Sequence, residues 1–294
     1  MSAGRIALPG SADVIDEHAA HMPAAPLRGL VESYAAFRQA GVAPMRHRGL
    51  PSPSMTLIFT LDDPLVLAAH PDPTQPPGVY QTLVGGLHTA PALITHDGRQ
   101  SGIQLGLSPL GARTLLGVPA GELAGSTVSG DDVLGPLAAE IQDRIRTALS
   151  WADRFAILDE VLMVRVAQAA GRAGVAASPE VSYAWRLLRQ TGGSATVSQL
   201  TAETGWSDRH LRNRFREETG LAPKSAARVI RFERVRRELQ RRAGAGGALR
   251  LAELAATFGY FDQAHLDRDF GLLAGCSPTT WVAEEFRNFQ ARAG

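Results

Sequence analysis

The amino-acid sequence predicts an α+β protein with two parts: a β-rich, barrel-like N-terminal domain with helices, and an all-α C-terminal domain. Short apolar runs separated by turn residues fill much of the first half of the chain, as in antiparallel sheets or barrels. After residue 180 these strand-like runs end, and a repeated helical pattern takes their place. A length of 294 residues, of which 45% are hydrophobic and 20% charged, suits about two ordinary globular domains.

The first elements of the N-terminal domain, which is expected over residues 1–170, are a helix and a set of strands. A helix is predicted at 26–40 because apolar side chains fall at helical spacing there. These side chains are Leu27, Leu30, Val31, Tyr34 and Phe37. Apolar runs between turns then predict five strands, at 54–61, 64–69, 79–84, 90–95 and 102–107.

Two amphipathic helices are predicted after the strands. Apolar residues at every fourth position from Leu137 to Leu149 form the first, and a stripe over 155–166 forms the second. The second stripe fits either the core of the domain or the face of a homodimer. A segment of small residues with glycine and proline near 169–180 predicts the boundary between the domains.

The C-terminal domain, expected over 181–294, contains an internal repeat. The segment Leu200–Gly205 aligns with Leu254–Gly259, and an Arg-rich helix at 224–242 joins the two copies. Four further features recur 55 residues later in the second copy, so one extra residue lies in its turn. They are His210-Leu211, Phe215, Gly220 and Pro223.

Each copy has the pattern of a helix-turn-helix unit. Gly205 and Gly259 occupy turn positions that favour a positive φ. Ser207 and Asp262 follow as N-caps of the second helix in each unit. Apolar residues four positions apart predict the buried side of those second helices: Leu211 with Phe215, and Leu266 with Phe270.

Charge and residue type indicate what the outer face of the first unit binds. Arg209, Arg212, Asn213 and Arg216 share one helical face, and such side chains pair bidentately with guanine and adenine edges. Residues 181–294 contain 18 basic and 12 acidic residues, a net charge of +6, whereas the preceding 180 contain 12 and 17, a net charge of −5. Tandem units in the basic half predict double-stranded DNA as a partner.

Residues 181–288 resemble the DNA-binding domain of AraC/XylS-type transcription regulators. The resemblance rests on Leu254-Ala255 with FGYFDQAHLDRDF at 258–270 and Gly275 to Pro278, and on SDRHLRNRF at 207–215 with Gly220 to Pro223. It implies an N-terminal effector or dimerisation domain, and RNA polymerase as a partner if the protein is an activator. The base contacts that it implies are Arg209, Arg212 and Asn213 in the first unit and Gln263, Ala264, Asp267 and Arg268 in the second.

The two units differ in charge at matched positions. The first outer face carries arginines, whereas Asp267 makes the second neutral, and Gly271 stands where the family commonly has a basic residue. Asp267 could accept a hydrogen bond from cytosine N4 or pair with Arg268. We therefore expect the first unit to supply more of the affinity for DNA.

A small-molecule effector site is predicted on the strands, at Met55, Leu57, Phe59 and Tyr80, with ordinary core packing as the alternative interpretation. No cofactor, metal or catalytic site is expected. The glycine that follows Ser108 comes one residue too late for a serine nucleophile elbow, and no phosphate-binding Gly-Lys-Ser/Thr is found. Scattered histidines are interpreted as surface or hydrogen-bonded residues: His18, His21, His47, His70, His88 and His96.

Several protein classes are excluded by composition. The single cysteine, Cys276, excludes a disulfide framework, a Cys-rich zinc module and an alkyl-transfer repair protein, which needs an additional reactive cysteine. Apolar runs such as Leu57–Phe59 are too short for a membrane span, so no membrane partner is expected. Met1–Gly10 lacks a secretory pattern, and the cytoplasm is the expected compartment.

The sequence thus predicts a sequence-specific DNA-binding transcription regulator that a small ligand or dimerisation controls through the N-terminal domain. Two alternatives stay open. In one, the regulator is independent of ligand and its N-terminal domain only forms a homodimer. In the other, an enzyme domain is tethered to a DNA-binding module.

Overall fold

Two packed β-sheets followed by a helical region make up the computed structural model, which confirms the predicted fold class. It describes residues 14–171 and 176–293, with side chains up to residue 285. The strands are β1 (Ile15–His21), β2 (Val31–Ala40), β3 (Met45–Gly49), β4 (Met55–Thr60), β5 (Leu65–Ala69), β6 (Gly78–Tyr80), β7 (Thr82–Gly85), β8 (Ala92–His96), β9 (Gln100–Leu107) and β10 (Thr127–Ser129).

The two sheets are antiparallel and divide the apolar residues between two clusters. The larger has the strand order β1-β2-β9-β4-β7-β10, and the smaller has the order β3-β8-β5-β6. Because side chains alternate along a strand, β4 and β7 of the larger sheet contribute residues to both clusters. Leu57 and Phe59 of β4 lie in the main core with the helices, whereas Ile58 packs with Leu65 and Leu67 between the sheets.

The helix predicted at 26–40 is wrong. The chain forms a short 3₁₀ turn at Ala25–Leu27 and then the ten-residue strand β2. The register of β2 against β9 shifts between Val31 and Ser33, which marks a bulge. The extra residue places buried Val31 and Tyr34 three positions apart, and this spacing imitates a helical period.

Besides the three-residue strand β10, strands β1 and β3 are absent from the predictions, and both lie at a sheet edge. Neither contains a fully buried residue, because their sequences, IDEHAAH and MRHRG, are rich in charged and polar side chains. Charged edge strands of this kind discourage pairing with other chains. They also lack the apolar alternation by which strands are recognised in a sequence.

The helices of the N-terminal part are α1 (Ala112–Leu116), α2 (Gly130–Leu134), α3 (Pro136–Thr147) and α4 (Trp151–Ala169). The stripe predicted on α4 is buried in the main core, with Phe155, Leu158 and Leu162 all inside. That stripe is therefore core and not an open dimer face. Leu149 lies beyond the end of α3 and is 96% exposed, so the predicted α3 stripe ends at Ile145.

The C-terminal part contains seven helices within the described residues: α5 (Pro179–Gln190), α6 (Val197–Thr204), α7 (Asp208–Thr219), α8 (Pro223–Gly244), α9 (Leu251–Thr257), α10 (Gln263–Leu273) and α11 (Pro278–Ala293). The boundary predicted near 169–180 falls between α4 and α5, and its residues 172–175 lie outside the described ranges. The exact domain limits stay a prediction. No helix in the described ranges is long and apolar enough to cross a membrane.

The two parts of the chain pack directly on each other. Gly121, in a 3₁₀ turn at Ala120–Leu123, approaches the backbone at the carboxyl end of α7. A Cβ atom at Gly121 would lie only 2.1 Å from the carbonyl oxygen of Glu217. Ion pairs also bridge the two parts: Arg113 to Glu218 at 3.2 Å, Arg48 to Glu284 at 3.1 Å, and Arg189 to Glu32 at 3.1 Å.

Replacing Gly121 by alanine should destabilise the protein by about 1–3 kcal/mol, because the added methyl group would collide with backbone and not with a flexible side chain. Urea unfolding of the full chain measures the effect. Gly85→Ala is the control, since a Cβ atom there would meet its nearest neighbour at 3.7 Å, an ordinary contact. Equal stability of the Gly121 variant and the wild type would show that the two parts are not packed this closely.

Candidate nucleic-acid interface

The predicted helix-turn-helix geometry is present in both copies of the repeat. Gly205 between α6 and α7 has a φ of +70°, and Gly259 between α9 and α10 has a φ of +77°. The Ser207 hydroxyl accepts a hydrogen bond from the His210 amide at 3.3 Å, and the Asp262 carboxylate accepts one from the His265 amide at 2.7 Å. Both caps satisfy backbone donors at the first turn of the second helix in each unit.

The buried sides of α7 and α10, here called the first and second reading helices, are those that the sequence indicates. Leu211 and Phe215 of α7 are fully buried, and the Phe215 ring lies 5.9 Å from that of Trp185 on α5. Leu266 and Phe270 of α10 are also fully buried. Phe270 packs edge-on against Phe232 of the connecting helix α8 at 4.9 Å.

A histidine supports the turn in each unit. His210 packs edge-on against Trp206 at 4.5 Å, and His265 packs edge-on against Tyr260 at 5.1 Å. His265 Nδ1 also accepts a hydrogen bond from the backbone amide of Phe261 at 3.3 Å. These histidines therefore have packing and backbone-bonding roles within the turns.

The four residues predicted on the first reading face are brought together on the exposed side of α7. Arg212 forms an ion pair at 2.7 Å with Asp208, which lies one turn earlier and was not part of the predicted face. Arg209 and Arg216 form no ion pair within the described residues. The first face therefore keeps two uncompensated guanidinium groups beside Asn213.

The second reading face is less charged. Gln263, Ala264 and Arg268 are exposed on α10, and Asp267 is half-buried. No ion pair joins Asp267 to Arg268 in the part of the chain that the structure describes. A Cβ atom at Gly271 would meet nothing within 4 Å, so neither packing nor a positive φ requires glycine in this helix.

Carboxylates engage many of the arginines on the connecting helix α8. Glu233 pairs with Arg236 and Arg237 at 2.7 and 2.6 Å. Glu238 accepts hydrogen bonds from Arg241 and Arg242, which lower the pKa of Glu238 to about 2. Pairing thus reduces the charge that these four arginines of α8 offer to a polyanion.

A cavity of about 300 Å³ lies between the sheets and reaches the C-terminal helices. Burial lowers the pKa of His88 at its wall, although a hydrogen bond to the Ala90 carbonyl opposes this effect. Its walls include Thr56, Ile58 and Leu83 from the larger sheet, Leu67 and Ile94 from the smaller sheet, and Arg236, Trp281 and Glu285 from α8 and α11.

The four predicted effector-site residues do not line this cavity. Met55, Leu57 and Phe59 lie on the opposite side of β4, in the main core. Tyr80 packs against the smaller cluster, with its hydroxyl 3.4 Å from His70 Nε2. The alternation along β4 places Thr56 and Ile58 at the cavity instead. The sequence does not reveal which side of β4 faces a cavity and which faces the core.

Both parts of the chain are similar to known families. Residues 200–284 match a family model described as a helix-turn-helix domain. Residues 19–129 match a family described as "Domain of unknown function (DUF6597)". No curated protein matches the chain.

Solved structures that are similar to this chain share little sequence identity with it. The C-terminal domain of AraT, a response regulator from Geobacillus stearothermophilus, is 21% identical with a TM-score of 0.32, covering 36% of this chain and 86% of its own. ToxT from Vibrio cholerae is 9% identical with a TM-score of 0.49, covering 87% and 98%. The AraC-like transcriptional activator CuxR is 16% identical with a TM-score of 0.30, covering 74% and 79%.

Likenesses this distant say nothing about shared ligands, and the family model carries the assignment. It spans both units, including their glycine turns and capped reading helices. The resemblance noted from the sequence is thereby confirmed for this part of the chain: residues 200–284 form a helix-turn-helix domain like that of AraC/XylS-type regulators.

Proposed function

We propose that this protein is a sequence-specific regulator that reads double-stranded DNA with both reading helices and responds to a small ligand held between its two parts. The observation that carries the proposal is the exposed Arg209–Arg216 face of α7, a helix whose carboxyl end packs against the N-terminal domain. Phosphate contacts would position the domain, and the arginines and Asn213 would contact base edges. No catalytic step is assigned to the chain.

The first reading helix is proposed to supply most of the affinity. Its uncompensated arginines can pair with guanine in the major groove and are attracted to the phosphates. The second reading helix combines one arginine with one half-buried aspartate. Binding of DNA through α10 therefore depends less on charge than binding through α7.

Replacing Arg209 by alanine should cost about 1–3 kcal/mol of binding free energy if its guanidinium contacts a base. The measurement is a fluorescence-anisotropy titration at one salt concentration, with a duplex selected from a random pool by the full chain. Arg241→Ala is the matched control, because it removes the same charge from an arginine that Glu238 engages at 2.6 Å.

The control variant should bind within about twofold of the wild type, since removal of an exposed, paired charge has a small effect. A larger loss for the Arg241 variant than for the Arg209 variant would place the DNA on α8, in conflict with the proposal.

Substitutions of Gly271 in the second reading helix should improve stability and the affinity for DNA. Alanine there should stabilise the protein by about 0.5–1 kcal/mol, because glycine is unfavourable inside a helix and the added methyl group has open space. Arginine should in addition strengthen binding to random duplexes and steepen the salt dependence by about one unit of log K per log salt.

Thermal unfolding and titrations at several salt concentrations measure these two effects, with Gly271→Gln as the uncharged control. If the arginine and glutamine variants bind random DNA equally well, α10 does not approach the phosphates.

The cavity between the sheets is proposed as the effector site because its walls come from both parts of the chain. A ligand there would touch Thr56 on β4 and also Arg236 and Trp281 of the C-terminal helices. It could therefore favour one arrangement of the two parts over another. The contact of Gly121 with the end of α7 would pass that change to the first reading helix.

Filling the cavity should abolish the response to effectors. We expect that small molecules which raise the melting temperature of the wild type fail to do so for Thr56→Phe, because the larger side chain occupies their site. Arg38→Phe serves as the control, since Arg38 lines a separate cavity of about 480 Å³ near the start of α4. Compounds that lose their effect with the Arg38 variant but keep it with the Thr56 variant would move the effector site to that second cavity.

The homodimer expected from the sequence stays a prediction, as do cytoplasmic location and contact with RNA polymerase. Burial of the α4 stripe removes the face first considered for a dimer. Met163 and Val164, on the outer side of α4, are 37% and 50% exposed. Sedimentation of the full chain over a range of concentrations tests whether a dimer forms.

A further inference from the structure

Phe261 is the most exposed aromatic side chain for which the structure gives a value, at 92% of its full accessible area. It directly precedes Asp262, the N-cap of the second reading helix. An exposed aromatic ring forgoes the stabilisation that its burial would contribute. An exposed phenylalanine at this position is therefore a stronger indication of a binding role than an exposed small apolar residue would be.

The repeat shows that Phe261 has no counterpart in the first unit. Trp206 and Tyr260 are equivalent, because each follows the turn glycine and packs edge-on against the histidine of its unit. Ser207 and Asp262 are equivalent as caps. Phe261 is thus the one extra residue in the second turn.

The backbone of Phe261 is fixed although its ring is exposed. Its amide donates a hydrogen bond to His265 Nδ1 at 3.3 Å, and the following residue caps α10. A residue at this position often packs on the fourth residue of the helix, which is Leu266 here. Leu266 is fully buried and Phe261 is not, so that contact does not cover the ring.

The start of a reading helix is the part that meets base edges in the major groove. The residues after Phe261 there, Gln263 and Ala264, are also exposed. Phenylalanine and alanine can contact the 5-methyl group of thymine, which only thymine presents in that groove. This apolar recognition suits a helix face on which Asp267 offsets the charge of Arg268.

We propose that Phe261, assisted by Ala264, recognises the 5-methyl group of thymine, so that the second unit reads its site by apolar contact. This inference rests on the proposed function, because it requires that α10 lies in the major groove. It assigns different chemistry to the two units: guanidinium groups select bases in the first, and an aromatic ring selects thymine in the second.

The test uses the full chain and duplexes selected by it from a random pool. Each thymine of a selected duplex is replaced in turn by uracil, which pairs identically but lacks the methyl group. For the wild type, one or two replacements should weaken binding about fourfold, the effect of roughly one buried methyl group. Phe261→Ala should bind the thymine and uracil duplexes equally at those positions.

Leu272→Ala is the matched control, because Leu272 is a 61% exposed apolar residue farther along the same helix. This variant should keep the fourfold preference. Melting temperatures of both variants should equal that of the wild type, since neither side chain is buried.

The outcomes separate the inference from the proposed function. If the wild type selects a sequence but no uracil replacement changes its affinity, or if Phe261→Ala keeps the preference, the inference is overturned and the proposed function stands. An exposed ring used only for a protein partner would give that result. If the wild type enriches no sequence from the pool, the proposed function itself fails.

Discussion

The close approach of Gly121 to the backbone of α7 is the contact on which the arrangement of this protein depends. It brings a turn of the N-terminal domain against the carboxyl end of the first reading helix, where only a residue without a side chain fits. The half-buried Arg113 and the buried Glu218 reinforce this junction with an ion pair at 3.2 Å. The exposed arginines of α7 are thus mechanically linked to the β-rich domain, and the cavity between the sheets extends to the same helical part.

Charge pairing separates the arginines that build the fold from those that are available to DNA. On α8, Glu233 and Glu238 pair with four of the arginines, and Arg231 and Arg234 lie over the rings of Tyr260 and Phe258. Such local pairs contribute little to stability individually, but they reduce long-range attraction to a polyanion. Composition alone would rank α8 as the most basic surface, whereas Arg209 and Arg216 on the exposed face of α7 form no ion pair within the described residues.

The sequence predicted the C-terminal half well because its signals are local. Glycine φ values, the caps at Ser207 and Asp262, and the buried pairs of both reading helices all follow from neighbours within a few residues. The N-terminal half depends on contacts between distant strands. A bulge at Val31 concealed β2, and the polar edge strands β1 and β3 carried no apolar alternation.

The candidate effector site also depends on contacts between distant parts of the chain, which the sequence does not reveal. Alternation along β4 was visible in the sequence, but the side that the helices cover is decided by tertiary packing, so Met55 and Thr56 could not be assigned to core and cavity in advance. The exposure of Phe261 was likewise hidden, because its extra position in the turn does not reveal where the ring lies.

The connecting helix α8 is one continuous element of 22 residues, with a length of about 33 Å. Successive turns of a major groove on one face of a duplex are about 34 Å apart. A helix behaves as a rigid spacer, unlike a flexible linker whose reach can vary. If both reading helices bind DNA as proposed, sites in a genome that suit this protein should hold their two sequence elements at a constant phase, and the insertion of half a helical turn between them should be tolerated far less than the exchange of individual bases.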